Sequence, residues 1–233
     1  MGLGAAPMFG AVTQWFEGYD PDRFFDEVVE RVDGPAGVRL RPHYQRLARA
    51  MERLDLDEVN RAERARTAAF KSQGITFTVY DDDTEGGIER TFPMDLVPRV
   101  IPADEWEHLE RGLVQRVTAL NRFLEDLYVG GGEIIEDRIV PRWLVTSSDG
   151  FTHEALGIPV PNGARCLVAG IDVIRDDEGT YRVLEDNLRC PSGVSYVIEN
   201  RAALTRVMPQ LFAGERVRPV DQYGRMLLRA LQR

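Results

Sequence analysis

The chain is almost without lysine: among its 29 basic residues the only one is Lys71, and the rest are arginines. Cysteine is also scarce. Two of them, Cys166 and Cys190, in 233 residues cannot build a disulfide framework. Neither belongs to a Cys-x-x-Cys pair, and His43, His108 and His153 lie far apart in sequence, which argues against structural zinc. No stretch approaches the roughly 18 consecutive apolar residues of a membrane span. The opening MGLGAAPMFGAVTQWFEGYD lacks a basic start and a continuous apolar run, so it does not read as a signal peptide. Ala6 stands where N-myristoylation wants Ser or Thr. A basic surplus is missing too. The 38 acidic against 29 basic residues leave a net charge of -9, which speaks against a nucleic-acid-binding surface. A reducing, cytoplasmic setting is the expectation.

What is present suffices for a real core: 43% of residues are hydrophobic and 29% charged, enough for one large domain or two small ones. Residues 1–20 are rich in Gly and Ala and are expected to be poorly ordered. From 21 to 70 the pattern is helical. DPDRFFDEVVERV offers Asp20 as a cap with Pro21 at the first helical position, PHYQRLARAMERL spaces Tyr44, Leu47, Met51 and Leu54 on one face, and LDEVNRAERARTAAF follows. At Gly74 the pattern changes to strands, GITFTVYDDD turning through TEGG into IERTFPMDLVPRVIP, where Pro93, Pro98 and Pro102 demote the second run to an edge or irregular connection. A long helix over DEWEHLERGLVQRVTALNRFLEDLY carries an apolar stripe of Trp106, Leu109, Leu113, Val117, Leu120, Leu124 and Leu127, read as packing rather than chemistry, and ends at Gly130–Gly132. EIIEDRIV and WLVTS read as short strands. A helix from about Val194 to Phe212 and a terminal one over VDQYGRMLLRALQR complete the chain.

The segment ARCLVAGIDVIRDDEGTYRVLEDN reads as a β-hairpin turning at DDEG, Asp176 to Gly179. That register pairs Arg175 with Thr180 and sets Asp172 opposite Val183. Alternation places Val183, Glu185 and Asn187 on one face, with Asp172 on the same face, diagonal to Glu185 and about 7 Å from it. Two carboxylates and a carboxamide with no lysine near form an oxygen-rich cluster whose acids repel each other unless a hard cation joins them, and Mg²⁺ takes this ligand type, completing its shell with water and phosphate oxygens. The bland alternative is a solvated strand end. In that reading Arg189 merely neutralises Glu185 as a surface ion pair, and Ser192 and Ser195 are helix N-caps.

VLEDNLRCPSGVSYVIENR resembles the circularly permuted ATP-grasp family, relatives of glutathionylspermidine synthase. QGITFTVY, IERTFPMDLVPRVIP, EWEHLERGLVQRVTALNRFLEDLY, VAGIDVIRDDEGTYRVLEDNLRCPSGVSYVIENR and VDQYGRMLLRALQR each look like family segments in family order, over roughly Phe70 to Arg233. The resemblance implies an α+β chain: a helical N-terminal segment, then part of a permuted ATP-grasp fold with a mixed or antiparallel sheet over 71–233. It implies ATP-dependent joining of a carboxylate to an amine, with peptide-like substrates, through an acyl-phosphate. It places Mg²⁺ (or Mn²⁺) on Asp172, Glu185 and Asn187, a phosphate or acyl-phosphate contact on Arg189, and a substrate-touching loop on Ser192, Gly193 and Ser195.

Family proteins are about twice this length and clamp the nucleotide with lysines that follow the Glu-x-Asn strand. Here only Lys71 exists, outside the cluster, so the expectation is the metal-side part of a ligase, truncated before its nucleotide clamp and inactive by itself. A non-catalytic half-ligase, self-associating or binding a partner that supplies the missing half, is the alternative. A metal-dependent hydrolase built on Asp172 and Glu185 lacks a histidine or lysine base.

Overall fold

The computed structural model describes residues 16, 19–33, 37–79 and 88–232, which form two compact units. The first contains the chain up to Pro102, together with 176–180 and 193–223; the second contains 103–175, 181–192 and 224–233. Among the described residues the strands pair as three two-stranded antiparallel ribbons, β1 (Val29–Arg31) with β2 (Val38–Leu40), β3 (Thr76–Val79) with β4 (Ile88–Thr91), and β5 (Gly170–Arg175) with β6 (Tyr181–Asn187). With the helices they make an α+β architecture.

In the first unit, a 3₁₀ turn at Pro42–Tyr44 leads into α1 (Gln45–Met51), followed by α2 (Leu56–Gln73). Asp55 and Glu58 cap α2 reciprocally: each side chain accepts the other's backbone N–H, at 2.7 and 2.9 Å. Gly74, with φ 67°, closes the helix, a left-handed position that glycine takes without a Cβ penalty. The stripe of α1 meets α6 (Val194–Val207) and the 3₁₀ turn Pro209–Leu211 in a core of Tyr44, Leu47, Met51, Ala62, Leu96, Leu204, Met208 and Leu211. Tyr44 spends its polar end as well, its hydroxyl oxygen accepting the Val100 N–H at 2.9 Å.

The helix expected over DPDRFFDEVVERV does not form. Asp26 draws the backbone N–H groups of Val28 and Val29 onto its carboxylate at 2.7 and 2.8 Å, Asp22 sits at φ 51°, and Val29–Arg31 joins a ribbon instead. The short acceptor side chain competes for N–H groups that a helix would use internally. The expected disorder of residues 1–20, except Phe16, Tyr19 and Asp20, and the turn TEGG lie outside the described residues.

In the second unit, α3 (Ala103–Glu125) runs on into a π-helical turn, Asp126–Gly130. All seven residues of its expected stripe are half-buried, and no residue of α3 is fully buried. EIIEDRIV and WLVTS are not strands but helical pieces, α4 (Glu133–Glu136) and α5 (Arg142–Thr146). The Asp126 carboxylate decides the first by accepting the Glu133 and Ile134 N–H groups, each at 3.0 Å, and Pro141 sets the entry to the second. The chain closes with α7 (Tyr223–Leu231).

Candidate functional site

The β5–β6 hairpin departs from the simple ladder twice. Arg175 pairs with Tyr181, not Thr180, so the loop is one residue longer than DDEG. The Asp176 carboxylate organises it by accepting the N–H groups of Glu178 at 3.2 Å and Thr180 at 2.7 Å. Further along, Val173 pairs with Val183 but Asp172 with Glu185. Leu184 is the extra residue of a β-bulge. Two one-residue shifts add to two, so Asp172 and Glu185 stay on one face and stand directly opposite each other. Directly opposed Cβ atoms lie about 5 Å apart, closer than the diagonal. Val183 is the correction: it shares its face with Val173 and is half-buried, whereas Leu184 and Glu185 both emerge on the exposed side.

Asp172, Glu185 and Asn187 are all exposed on this face. Asn187 Nδ2 donates to Glu185 Oε1 at 2.9 Å, which orients the amide and the carboxylate together. Across from Asn187 stands Gly170, where a Cβ would fall 2.7 Å from Cβ of Pro191; the absent side chain lets the chain after β6 fold back over the ladder. Arg189 and Ser192 are exposed in that returning segment. Among the described residues no ion pair joins Arg189 to Glu185. Ser192 and Ser195 are not the N-cap of α6, as one alternative had it. That position belongs to Gly193 at φ 102°, with no side-chain cap, and Ser195 follows, exposed, in the first turn of α6. Gly193 and Ser195 belong to the first unit, the other five candidates to the second.

The opposite face of the hairpin is held by α3. Arg116 grips Asp186 with two parallel bonds, Nε to Oδ1 at 2.7 Å and the terminal nitrogen to Oδ2 at 2.6 Å. These hydrogen bonds hold the Asp186 carboxyl below the ordinary carboxylate range and raise Arg116 in return. Nearer the loop, Glu105 accepts from Arg175 at 2.9 Å and from the Tyr181 hydroxyl at 3.1 Å. Asn121 bridges the backbone of Cys166, accepting its N–H at 2.8 Å. None of these α3 contacts was read from the sequence. The available signal is the alternation of β6, which turns Asp186 away from Glu185 and Asn187 toward a half-buried face that requires a partner for a carboxylate.

Among the described residues no group of three or more His, Cys, Asp or Glu is arranged to hold a metal. The face supplies fewer acids than that, two carboxylates and an amide, all oxygen donors on accessible side chains. This set fits a hard divalent cation that takes the remainder of its shell from water and phosphate, and it does not fit zinc, which prefers nitrogen and sulfur in a closed tetrahedron. Two clefts, of about 600 and 390 Å³, lie in the first unit, the larger beside Arg46, Arg49 and Arg53, the smaller beside Arg201 and Phe212. None of the seven candidates lines either. No helix among the described residues is long and apolar enough to cross a membrane.

Similarity to known proteins extends over most of the chain. An uncharacterized protein of Mycobacterium leprae (strain TN) is 48% identical over 217 residues, which cover 93% of this chain and 37% of that protein. An uncharacterized protein of Synechocystis is 41% identical over 215 residues, 92% of this chain and 43% of the relative. A protein of Frankia alni named "Putative glutamate--cysteine ligase 2-3" is 40% identical over 213 residues, 90% of this chain and 23% of the relative. The chain thus spans less than half the length of these relatives. Residues 98–233, which include α3, the hairpin and the segment after it, match the family described as a circularly permuted ATP-grasp, and the chain belongs to that family.

Proposed function

We propose that the chain is part of an ATP-dependent ligase that joins a carboxylate to an amine through an acyl-phosphate, and that it contributes the metal side of the active site. The observation that carries this reading is the direct opposition of Asp172 and Glu185, with Asn187 hydrogen-bonded to Glu185, on an exposed face within the segment that matches the ATP-grasp family. Asp172, Glu185 and Asn187 would hold Mg²⁺, or Mn²⁺ in its place. When bound, the ion neutralises ATP phosphate charge and polarises the phosphoryl group in transfer. Arg189 would meet the phosphate or the acyl-phosphate, its planar fork suited to paired oxygens. Ser192, Gly193 and Ser195 would line the substrate loop.

Within this reading, 71–233 is the ATP-grasp portion and 21–70 a preceding, mainly helical segment, in a cytoplasmic protein. The substrates are small and peptide-like; the name of the Frankia relative supports an amino-acid carboxylate and amine pair. With Lys71 as its single lysine, in the last turn of α2, the chain offers no lysine for a phosphate clamp beside the metal face. ATP turnover by this chain alone is therefore not expected.

The test is a Mn²⁺ titration followed by paramagnetic broadening in NMR spectra. Signals of Asp172, Glu185 and Asn187 should broaden first, and Glu185→Gln, which keeps shape and removes one charge, should abolish that selectivity while stability changes by no more than about 0.5 kcal/mol, as for a surface substitution. Broadening of other carboxylates with these three untouched overturns the assignment. A second reading, a non-catalytic module that self-associates or docks a partner, is favoured by large apolar side chains exposed in the second unit, such as Ile139, Trp143, Met226 and Leu231. Light scattering separates the two: concentration-dependent dimerisation without Mn²⁺ selectivity supports the module.

A further inference from the structure

Between the two outward-facing residues Glu185 and Asn187 lies Asp186, and it points the other way, into the fork of Arg116. The ladder alone controls this stretch weakly. Only three residue pairs lie beyond the bulge, Asp172 with Glu185, Ile171 with Asp186 and Gly170 with Asn187, and Gly170 adds no side chain to hold its partner. A bulge also interrupts the alternation of side chains, so the rotation of residues 185–187 about the strand axis is not inherited from 181–183. Something outside the ladder must set it.

The guanidinium fork is suited to that task. Two bonds at 2.7 and 2.6 Å fix a carboxylate in position and in plane, which a single point charge cannot do. The helix that carries the fork is itself anchored on both sides of Arg116, through Glu105 to Arg175 and Tyr181 and through Asn121 to the Cys166 backbone.

We propose that Arg116 is a positioning residue: its two-point grip on Asp186 fixes the rotation of β6 beyond the bulge, so that Glu185 and Asn187 aim outward together with Asp172. The inference rests on the metal-face reading given above and adds to it a residue on a distant helix, which would touch neither metal nor nucleotide. A tether that served stability alone would work equally well at any point along α3. A positioning contact must act on the metal face and leave the remainder of the hairpin in place.

Three variants separate these cases, with Mn²⁺ alone as the probe. Arg116→Lys keeps the charge and loses the fork; Asp186→Asn keeps the shape and loses the charge; Glu105→Gln weakens the anchor at the loop end of the same helix. The expected result is a rise of about ten-fold in the Mn²⁺ dissociation constant for Arg116→Lys and for Asp186→Asn, the scale found when groups that orient metal ligands are removed. The side-chain NH₂ signals of Asn187 should shift as well, with no metal present. Glu105→Gln should lower the melting temperature and leave Mn²⁺ affinity unchanged. If Arg116→Lys fails to fold, Asp186→Asn asks the same question. Wild-type Mn²⁺ affinity and an unmoved Asn187 amide in these variants overturn the inference while leaving the metal face intact. Equal losses of affinity in all three, in proportion to stability, also overturn it. A wild-type chain in which Mn²⁺ fails to broaden Glu185 and Asn187 removes the metal-face reading and the inference with it.

Discussion

Gly170 and Pro191 meet so closely that a Cβ added at the glycine would lie 2.7 Å from the proline Cβ, and 3.5 Å from that of Asn187. A contact under 3.0 Å forces one partner to move, and here neither is the loose end of a flexible side chain. The glycine is required by the neighbour and not by its own backbone, since it is absent from the positive-φ residues.

Gly170→Ala should therefore destabilise the second unit by about 1–3 kcal/mol, the usual cost of overpacking a fitted contact. It should also displace Pro191 together with the segment that carries Arg189. Pro191→Gly removes the opposing Cβ, so the double variant should recover most of the loss. Urea unfolding of the two single variants and the double one measures the coupling. Additive losses would show that the two residues do not press on each other.

The expected pattern and the observed one agree where periodicity runs long and part where it is short. The stripe of α3 and the charged face of α2 repeat over five or six turns, and both helices form where the spacing places them. EIIEDRIV and WLVTS hold only a few apolar residues each, a length at which helix and strand patterns cannot be told apart. The outcome depends on Asp126 in the first and follows Pro141 in the second, both outside the apolar pattern. Residues 21–33 mislead for a related reason, because the carboxylate of Asp26 takes the N–H groups a helix would need. In the hairpin, the alternation that pairs Glu185 with Asn187 is legible from the sequence. The bulge is not, because plain alternation places Leu184 on the same half-buried face as Asp186, where a leucine raises no conflict. Arg116 was beyond reach, since nothing local in VQRVTAL indicates a partner in a strand 70 residues away.

Cys166 and Cys190 should behave as different thiols. Cys166 is buried, 6% exposed, and its thiol donates toward the carbonyls of Val168 and Leu188 at 3.3 and 3.4 Å. Burial pushes its thiol up from the ordinary value, near 8.5. The folded state therefore binds this proton more tightly than the unfolded chain. The associated stability is fully present below about pH 8.5 and is lost as pH rises through the raised folded value. Cys190 is exposed. Iodoacetamide at pH 8 should label Cys190 while Cys166 stays unmodified until the unit unfolds, read by peptide mass spectrometry. Relative to Cys166→Ala, the wild type should lose stability more steeply above about pH 8.5. Equal labelling of the two thiols in the folded chain would show that Cys166 is not enclosed.

The bulge makes a sharper demand. With Leu184 in place, Val183 faces inward, Leu184 and Glu185 both face out, and Asp186 faces in toward Arg116. Removing Leu184 restores a count of one residue against one: Val183 in, Glu185 out, Asp186 in, Asn187 out. Every pairing from Gly170 to Asn187 is then retained, because Val173 already faces Val183 and Asp172 already faces Glu185. Deleting a residue from the middle of a strand normally flips everything beyond it to the other face. Here it should not. The exposed leucine, 67% accessible, contributes little burial, so stability should change by no more than about 1 kcal/mol. Deleting Val183 is the matched control. It leaves the same chain length but carries Leu184 into an inward slot, and it should cost more, since the β-branched residue facing Val173 is replaced by a longer side chain with a different shape. The measurement is a set of cross-strand NOEs. In the Leu184 deletion, contacts between the backbones of Asp172 and Glu185 and between Gly170 and Asn187 should persist. Contacts from Asp172 to Asp186 in their place would mean that the ladder has slipped, and that the bulge holds the register and not merely the twist.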